Sequence, residues 1–265
     1  MRRAAWTFHA LLIAPVLLLG PLPLAAQTES PSDAPSAVEA SEGETAAPAE
    51  VLAAFTRLVD RGEARNLFGL PRESFWRRSG ALEIAIFAQD AAALRPVLEG
   101  VAAPFAEVSG LEISLLETGP AVTPAQDLGV LAPEAELVII VGSRLDLAEI
   151  AAAGGFNKGM LANFEMGRWP FMFVFEKDQR RRGVMLLADD EPARAREAAF
   201  ILATVWGLGG VTLGPELTGL VRDSDSGPGL TPLGQAVFRL FFHQDLKSGM
   251  PLGDAVRRAE TLLPQ

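Results

Sequence analysis

Arg196-Glu-Ala-Ala-Phe-Ile-Leu-Ala-Thr-Val-Trp-Gly-Leu-Gly-Gly210 is the stretch on which the reading of the fold turns. It is apolar at nearly every position for three turns and then stops at a glycine cluster. A helix that is apolar all round belongs inside a protein rather than on its surface. It directly follows Gly183-Val-Met-Leu-Leu-Ala188, a run whose length and branched residues predict a strand. The order therefore predicts a last strand leading into a buried helix.

Upstream, Phe171-Met-Phe-Val-Phe-Glu176 is a second short apolar run, joined to the first by the charged stretch Lys177 to Arg182, as in a hairpin. Glu136-Leu-Val-Ile-Ile-Val-Gly142 is continuously apolar and predicts a strand covered on both faces. Leu82 to Ala88 reads as a strand with alternating apolar positions, and Leu111 to Glu117 as another. Ala91 to Val108 is a helix between them, closed by Gly110. Leu145 to Ala153 is a short helix, and Asp189 or Asp190 is placed to cap the central one, with Pro192 in its first turn. Val51, Leu52, Phe55, Leu58 and Val59 fall on one face of a helix from Glu50 to Arg61. Thr231 caps a helix to Phe242, and Leu252 to Leu263 forms the last. The expectation is a single α+β domain over residues 50–265: a twisted mixed sheet of about five strands packed on helices, with two C-terminal helices.

Residues 1–26 read as a signal peptide. Arg2 and Arg3 precede the apolar core Ala10 to Leu19, Pro21 and Pro23 interrupt it, and Leu24-Ala25-Ala26 offers a cleavage site before Gln27. A retained anchor is the rival reading, but the core is shorter than the roughly 20 residues a spanning helix needs. Residues 27–49 form an acidic linker rich in Pro, Ala and Ser. Thr28 to Glu50 holds six acids and no base, too little apolar surface to offset ordering. The expected destination is periplasmic or secreted.

The chain contains no cysteine, so disulfides, thiol nucleophiles and thiolate metal sites are all excluded. It carries 33 acidic against 23 basic side chains, a net charge of −10, which disfavours nucleic acid as a partner. No tyrosine, GxSxG or SxxK supports serine chemistry.

Read along the central helix, Phe200-Ile-Leu-Ala-Thr204-Val-Trp-Gly207 stands in register with the HExxHxxG motif of zincin metalloproteases, with Gly210 at the third metzincin histidine. The element order also resembles that fold: a helix between the first two strands, a run of strands, then the metal helix. More narrowly, Gly80 to Met250 resembles domain of unknown function family 2927, a group of exported proteobacterial proteins. The resemblance is carried by Ser109-Gly110-Leu111, Gly207-Leu208, Asp223-Ser224, Leu230-Thr231, Phe238-Arg239-Leu240 and Gly249-Met250. Members tend to carry a Glu-Glu pair and a Gln on this helix, where this chain has Phe200, Ile201 and Thr204. The resemblance thus implies a zincin-like architecture without the metal ligands, with no cofactor and no catalysis at those positions. The one histidine after the leader, His243, lies on another predicted helix and reads as a partly exposed side chain.

Other patterns are weighed against plainer readings. Asp223 to Gly227 begins like a calcium loop, but its twelfth position is Gly234 and not glutamate. Gly154 to Gly159 lacks the phosphate-loop Lys-Ser/Thr. Arg180, Arg181 and Arg182 read as a solvated hairpin turn. Asp189, Asp190, Glu191 and Glu197 offer paired carboxylates for work on glycans, although acids gather at helix starts for their own sake. The candidate binding residues are Phe164, Trp169, Phe171 and Phe173, in the apolar run from Phe156 to Phe175. In zincin-like folds the edge strand beside the metal helix pairs with extended peptides, and Phe171 to Glu176 resembles that strand. The glycines around Met160 to Phe164 suit a movable lid. The expected function is a metal-free binding domain for a peptide or envelope protein. The alternatives are a carboxylate-dependent glycan hydrolase or a structural subunit of an envelope assembly.

Overall fold

The computed structural model describes residues 46–59, 74–128, 130–154, 171–175, 181–210, 217–222 and 229–264. The expected signal peptide and most of the linker lie outside them. Among the described residues there are five strands and six helices. In chain order these are α1 (Pro48–Val59), β1 (Leu82–Phe87), α2 (Ala91–Ser109), β2 (Ile113–Gly119), β3 (Leu137–Gly142), α3 (Arg144–Ala153), β4 (Phe171–Phe175), β5 (Arg181–Ala188), α4 (Ala193–Leu208), α5 (Pro232–Phe241) and α6 (Leu252–Leu262). None of these helices is long and apolar enough to cross a membrane.

The strands form one sheet in the order β2-β1-β3-β5-β4. Four are parallel, and β4 runs antiparallel beside β5. The β4–β5 pair is thus the expected hairpin arrangement, and the fold is the expected single α+β domain with a mixed sheet. Helix α2 connects the parallel neighbours β1 and β2, as parallel pairing requires.

Successive side chains of a strand point to opposite faces, so a strand between two packed layers must be apolar at both parities. Ile84, Ile86, Leu137, Ile139, Val141, Met185 and Leu187 enter one core, shared with α1, α2, α4 and α5. Ala85, Phe87, Val138, Ile140, Val184, Leu186 and Ala188 enter a second core under α3 and the loop holding Val122, Leu128 and Ala132. This corrects the alternation expected for β1. Only Glu83 breaks its burial, because the strand is interior to the sheet and covered on both sides.

Helix α2 ends as its sequence predicts. Gly110 adopts φ 66°, a left-handed conformation that glycine enters without a Cβ penalty, and its N–H donates to the Ala106 carbonyl. The C-terminal helices are tied back to the segment before β1. Phe75 N–H donates to the Met250 carbonyl at 2.7 Å, and Gly249 N–H donates to the Phe75 carbonyl at 2.9 Å. Around that tie Phe55, Phe75 and Phe241 form an aromatic group with ring centroids 5.3–6.5 Å apart, so α1 packs on the domain.

Candidate functional site

Helix α4 leaves β5 and is buried at every residue from Ala199 to Leu208. Phe200 and Thr204 are both 0% exposed, and Ile201 is buried beside them. Thr204 Oγ1 donates to the Phe200 carbonyl at 2.8 Å, so its hydroxyl is satisfied by its own helix. A Cβ at Gly207 would meet the Leu82 side chain at 2.9 Å, and one at Gly210 would meet Val205. The positions aligned with the zincin motif are therefore filled by packed core. Among the described residues no three His, Asp or Glu side chains lie close enough to hold a metal ion.

His243 lies in the turn after α5 rather than on a helix. Its Nδ1 accepts a hydrogen bond from the Asp245 N–H at 3.3 Å, and its carbonyl receives Arg77 Nη2 at 3.5 Å. Arg77 also donates through Nε to the Leu246 carbonyl, and its guanidinium lies 5.7 Å from the Phe242 ring centroid. Burial pulls the pKa of Arg77 below the usual arginine value. The histidine thus sits in a structural joint.

The carboxylates before α4 are not its caps. The N-cap is Pro192, with no side-chain cap bond, and the helix begins at Ala193, a turn earlier than the apolar pattern suggests. Instead Arg144, the first residue of α3, donates through Nε to both Asp190 oxygens at 3.1 Å and through Nη2 to Glu191 at 2.9 Å. Those hydrogen bonds raise the pKa of Arg144. Two-carboxylate glycoside chemistry needs one acid kept protonated and the other ionised, in separate environments. Here one guanidinium bonds Asp190 and Glu191 together in a single environment, so the cluster suits fastening α3 to the turn before α4.

Arg182 departs from the solvated turn expected of it. It is 5% exposed, within β5, and its Nη2 donates to the Ala132 carbonyl at 3.0 Å. Ala132 has φ 39°, the one non-glycine residue with positive φ among those described. Sequence offered no signal for this contact, because it joins residues fifty apart. A second joint escaped sequence reading for the same reason. Arg78 Nε donates to the Gly207 carbonyl at 2.7 Å and its guanidinium lies 3.8 Å from Glu136, whose other oxygen receives the Glu83 N–H. A cation there complements the C-terminal end of α4.

The two edges of the sheet differ. β2 pairs with β1 from Leu82↔Ile113 to Phe87↔Gly119, but the register slips between Ile84↔Leu115 and Ala85↔Glu117. Leu116 is the extra residue of a bulge, and it is 44% exposed. Bulges bend a strand and blunt a sheet edge. At the opposite edge β4 pairs with β5 through five consecutive residues, Phe171↔Met185 to Phe175↔Arg181, with no slip. Phe171 and Phe173 therefore stand two apart on the terminal strand. Phe164 and Trp169 lie outside the described residues, as do the lid segment, the Asp223 to Gly227 loop and all but Gly154 of the glycine-rich run.

No protein-family model matches the chain, and no curated protein or solved structure matches it.

Proposed function

We propose that this chain is an exported, non-catalytic binding domain of zincin-like architecture that takes an extended peptide segment of an envelope protein as a sixth strand along β4. The observation that carries the reading is the unbroken register of β4 at one edge of the sheet, set against the bulged strand at the other. A terminal strand offers backbone donors and acceptors in a row, which an added strand satisfies. Phe171-Met-Phe-Val-Phe175 contains no charge and no proline, the usual devices against such pairing. The element order supports the zincin-like part: a helix between the first two strands, an edge strand formed by Phe171–Phe175, and a buried helix after the last strand. Phe200, Ile201 and Thr204 support the non-catalytic part, since they are packed where ligands would stand. Short motifs at helix ends and turns support kinship with domain of unknown function family 2927. The apolar leader supports export, and the partner class follows from it.

The test is selection of a random-peptide display library on the purified mature protein, followed by hydrogen exchange. Enriched peptides are expected to protect the amides of Phe171–Phe175. Proline is then placed at Met172, Phe173 and Val174 in separate variants matched for folding by circular dichroism. Neighbouring residues of an edge strand turn their N–H groups alternately to the sheet and outward. Proline at the outward parity is expected to abolish binding while leaving the fold intact. Peptides that protect another element, or that bind folded proline variants of both parities equally, would overturn the reading.

A further inference from the structure

We infer that residues 120–136, the segment that carries the chain from β2 to β3, form a strap latched by Arg182 that lifts off the second core as one unit while the sheet stays folded.

Strands β2 and β3 flank β1 and run parallel to it, so the connection between them must cross β1. Crossovers of this kind are usually helices, as α2 is between β1 and β2. Here the described residues of the crossing, 120–128 and 130–136, hold neither helix nor strand. Connections beyond about 12–15 residues without regular structure are uncommon in compact domains, and those that are ordered usually serve a function. On this face α3 packs chiefly on β3 and β5. Among the described residues the strap is therefore the cover over Ala85 and Phe87 of β1, which share its core cluster with Val122, Leu128, Ala132 and Ala135.

The strap's grip is slight. Those four side chains are buried, two of them only methyl groups, whereas Val130 is 68% exposed. Its described backbone hydrogen bonds are short turns within the strap: Gln126 N–H to the Thr123 carbonyl, Val130 N–H to Asp127 and Ala135 N–H to Ala132. Few buried apolar contacts and purely local bonding mark a unit that opens at low cost. Two contacts hold it down. Leu128 seats on the end of α3 at Gly154, where a Cβ would come within 2.6 Å of Leu128 Cδ1. Arg182, the one charged side chain buried among the described residues, donates to the Ala132 carbonyl. The latched residue pulls the other way. At φ 39° Ala132 stands in the left-handed region, where a side chain with a Cβ is strained, and lifting the strap releases that strain. A buried cation working against a strained turn keeps the strap closed but near its balance point.

The chain has no cysteine, so one introduced thiol reports access to one position. Ala85→Cys places it under the strap, and Ala203→Cys places it in the first core on α4; both alanines are fully buried. When closing outpaces the reagent, the rate of thiol labelling reads the open population. In the absence of urea the Ala85→Cys chain is expected to label roughly tenfold faster than the Ala203→Cys chain or more, and with a weaker urea dependence, because a local opening exposes less surface than unfolding. Added to Ala85→Cys, Arg182→Met should speed labelling roughly tenfold, the worth of a hydrogen bond from a charged donor. Ala132→Gly should slow it roughly threefold, as relieved strain outweighs the freedom glycine gains in the open state. Equal labelling at the two positions with one urea dependence would overturn the inference, as would an Arg182→Met chain labelled no faster. If Ala85→Cys fails to fold, hydrogen exchange decides without it. Arg182→Met should then speed the Thr123, Gln126, Val130 and Ala135 amides by one common factor, all four being hydrogen-bonded within the strap. Acceleration confined to Ala135, beside the lost bond, would show a frayed turn and overturn the strap.

Discussion

Replacing Phe200 by alanine tests whether the central helix is core or a cleft wall. The ring is fully buried between α4 and the sheet-facing core. A buried phenylalanine removes about 150–250 Å² from water, and truncation to the methyl forfeits on the order of 150 Å² of it. At about 25 cal/mol per Å² the transfer loss is about 4 kcal/mol, within the ~3–5 kcal/mol found when buried aromatics become alanine. A domain of this kind is held by about 5–15 kcal/mol in total, so the variant should lose a large share of its stability. Urea unfolding followed by circular dichroism gives the number, with an unchanged m-value showing that the unfolded state is the same. The companion variant Phe200→His with Ile201→Glu writes the first two residues of the zincin motif into this helix. It should gain no zinc affinity and lose several kcal/mol, because an imidazole and a carboxylate enter an apolar layer without partners. The glutamate should also impose a pH dependence. Burial raises its folded pKa above the unfolded value near 4.3, so its penalty is smallest in acid and grows as pH rises toward the folded pKa. A double variant as stable as the parent at neutral pH would show that this helix face is open to water.

Elemental analysis of the dialysed protein is expected to find no stoichiometric zinc, since the motif positions hold Phe200, Ile201 and Thr204; one zinc per chain would refute that. Thr231→Ala should cost about 0.5–2 kcal/mol in unfolding experiments, because the hydroxyl receives the Gly234 N–H at 3.0 Å at the start of α5. Gly234→Ala should cost about 1–3 kcal/mol or more, since its Cβ would overlap the Leu220 carbonyl, a backbone group that cannot swing aside. Arg144→Gln should leave the folding midpoint in high salt unchanged and lower it slightly in low salt, as an exposed ion pair is screened.

The elements that sequence revealed are those whose signal is local. The burial of α4 follows from residues within three turns of one another, and the end of α2 from Gly110 alone. Pairing β4 with β5 needed only two apolar runs and a short connection. Three of the short motifs singled out in the sequence prove to be joints: Gly110 closes α2, Leu230-Thr231 opens α5, and Gly249-Met250 bonds to Phe75. What sequence did not reveal depends on chain segments meeting at a distance. Arg182 reads as one of three turn arginines until the Ala132 carbonyl is beside it. Asp190 reads as a helix cap until Arg144 arrives from forty-six residues away. Leu116 looks like one more strand residue until the register with β1 makes it the extra one. Phe171 and Phe173 were placed on the right strand by a hydrophobic run, but only the sheet order makes that strand terminal.

The bulge at Leu116 has a consequence for what the protein does at high concentration. A sheet with two live edges is a monomer for polymerisation: each copy added presents a fresh end, and the chain of sheets grows without limit. A sheet with one edge kinked out of register offers at most one such end. Under the proposed peptide pairing along β4, a single added strand completes the ladder and association stops there. Deleting Leu116 would remove the kink and leave β2 a second straight edge, and exposed straight edges are expected to show as light scattering that climbs with time.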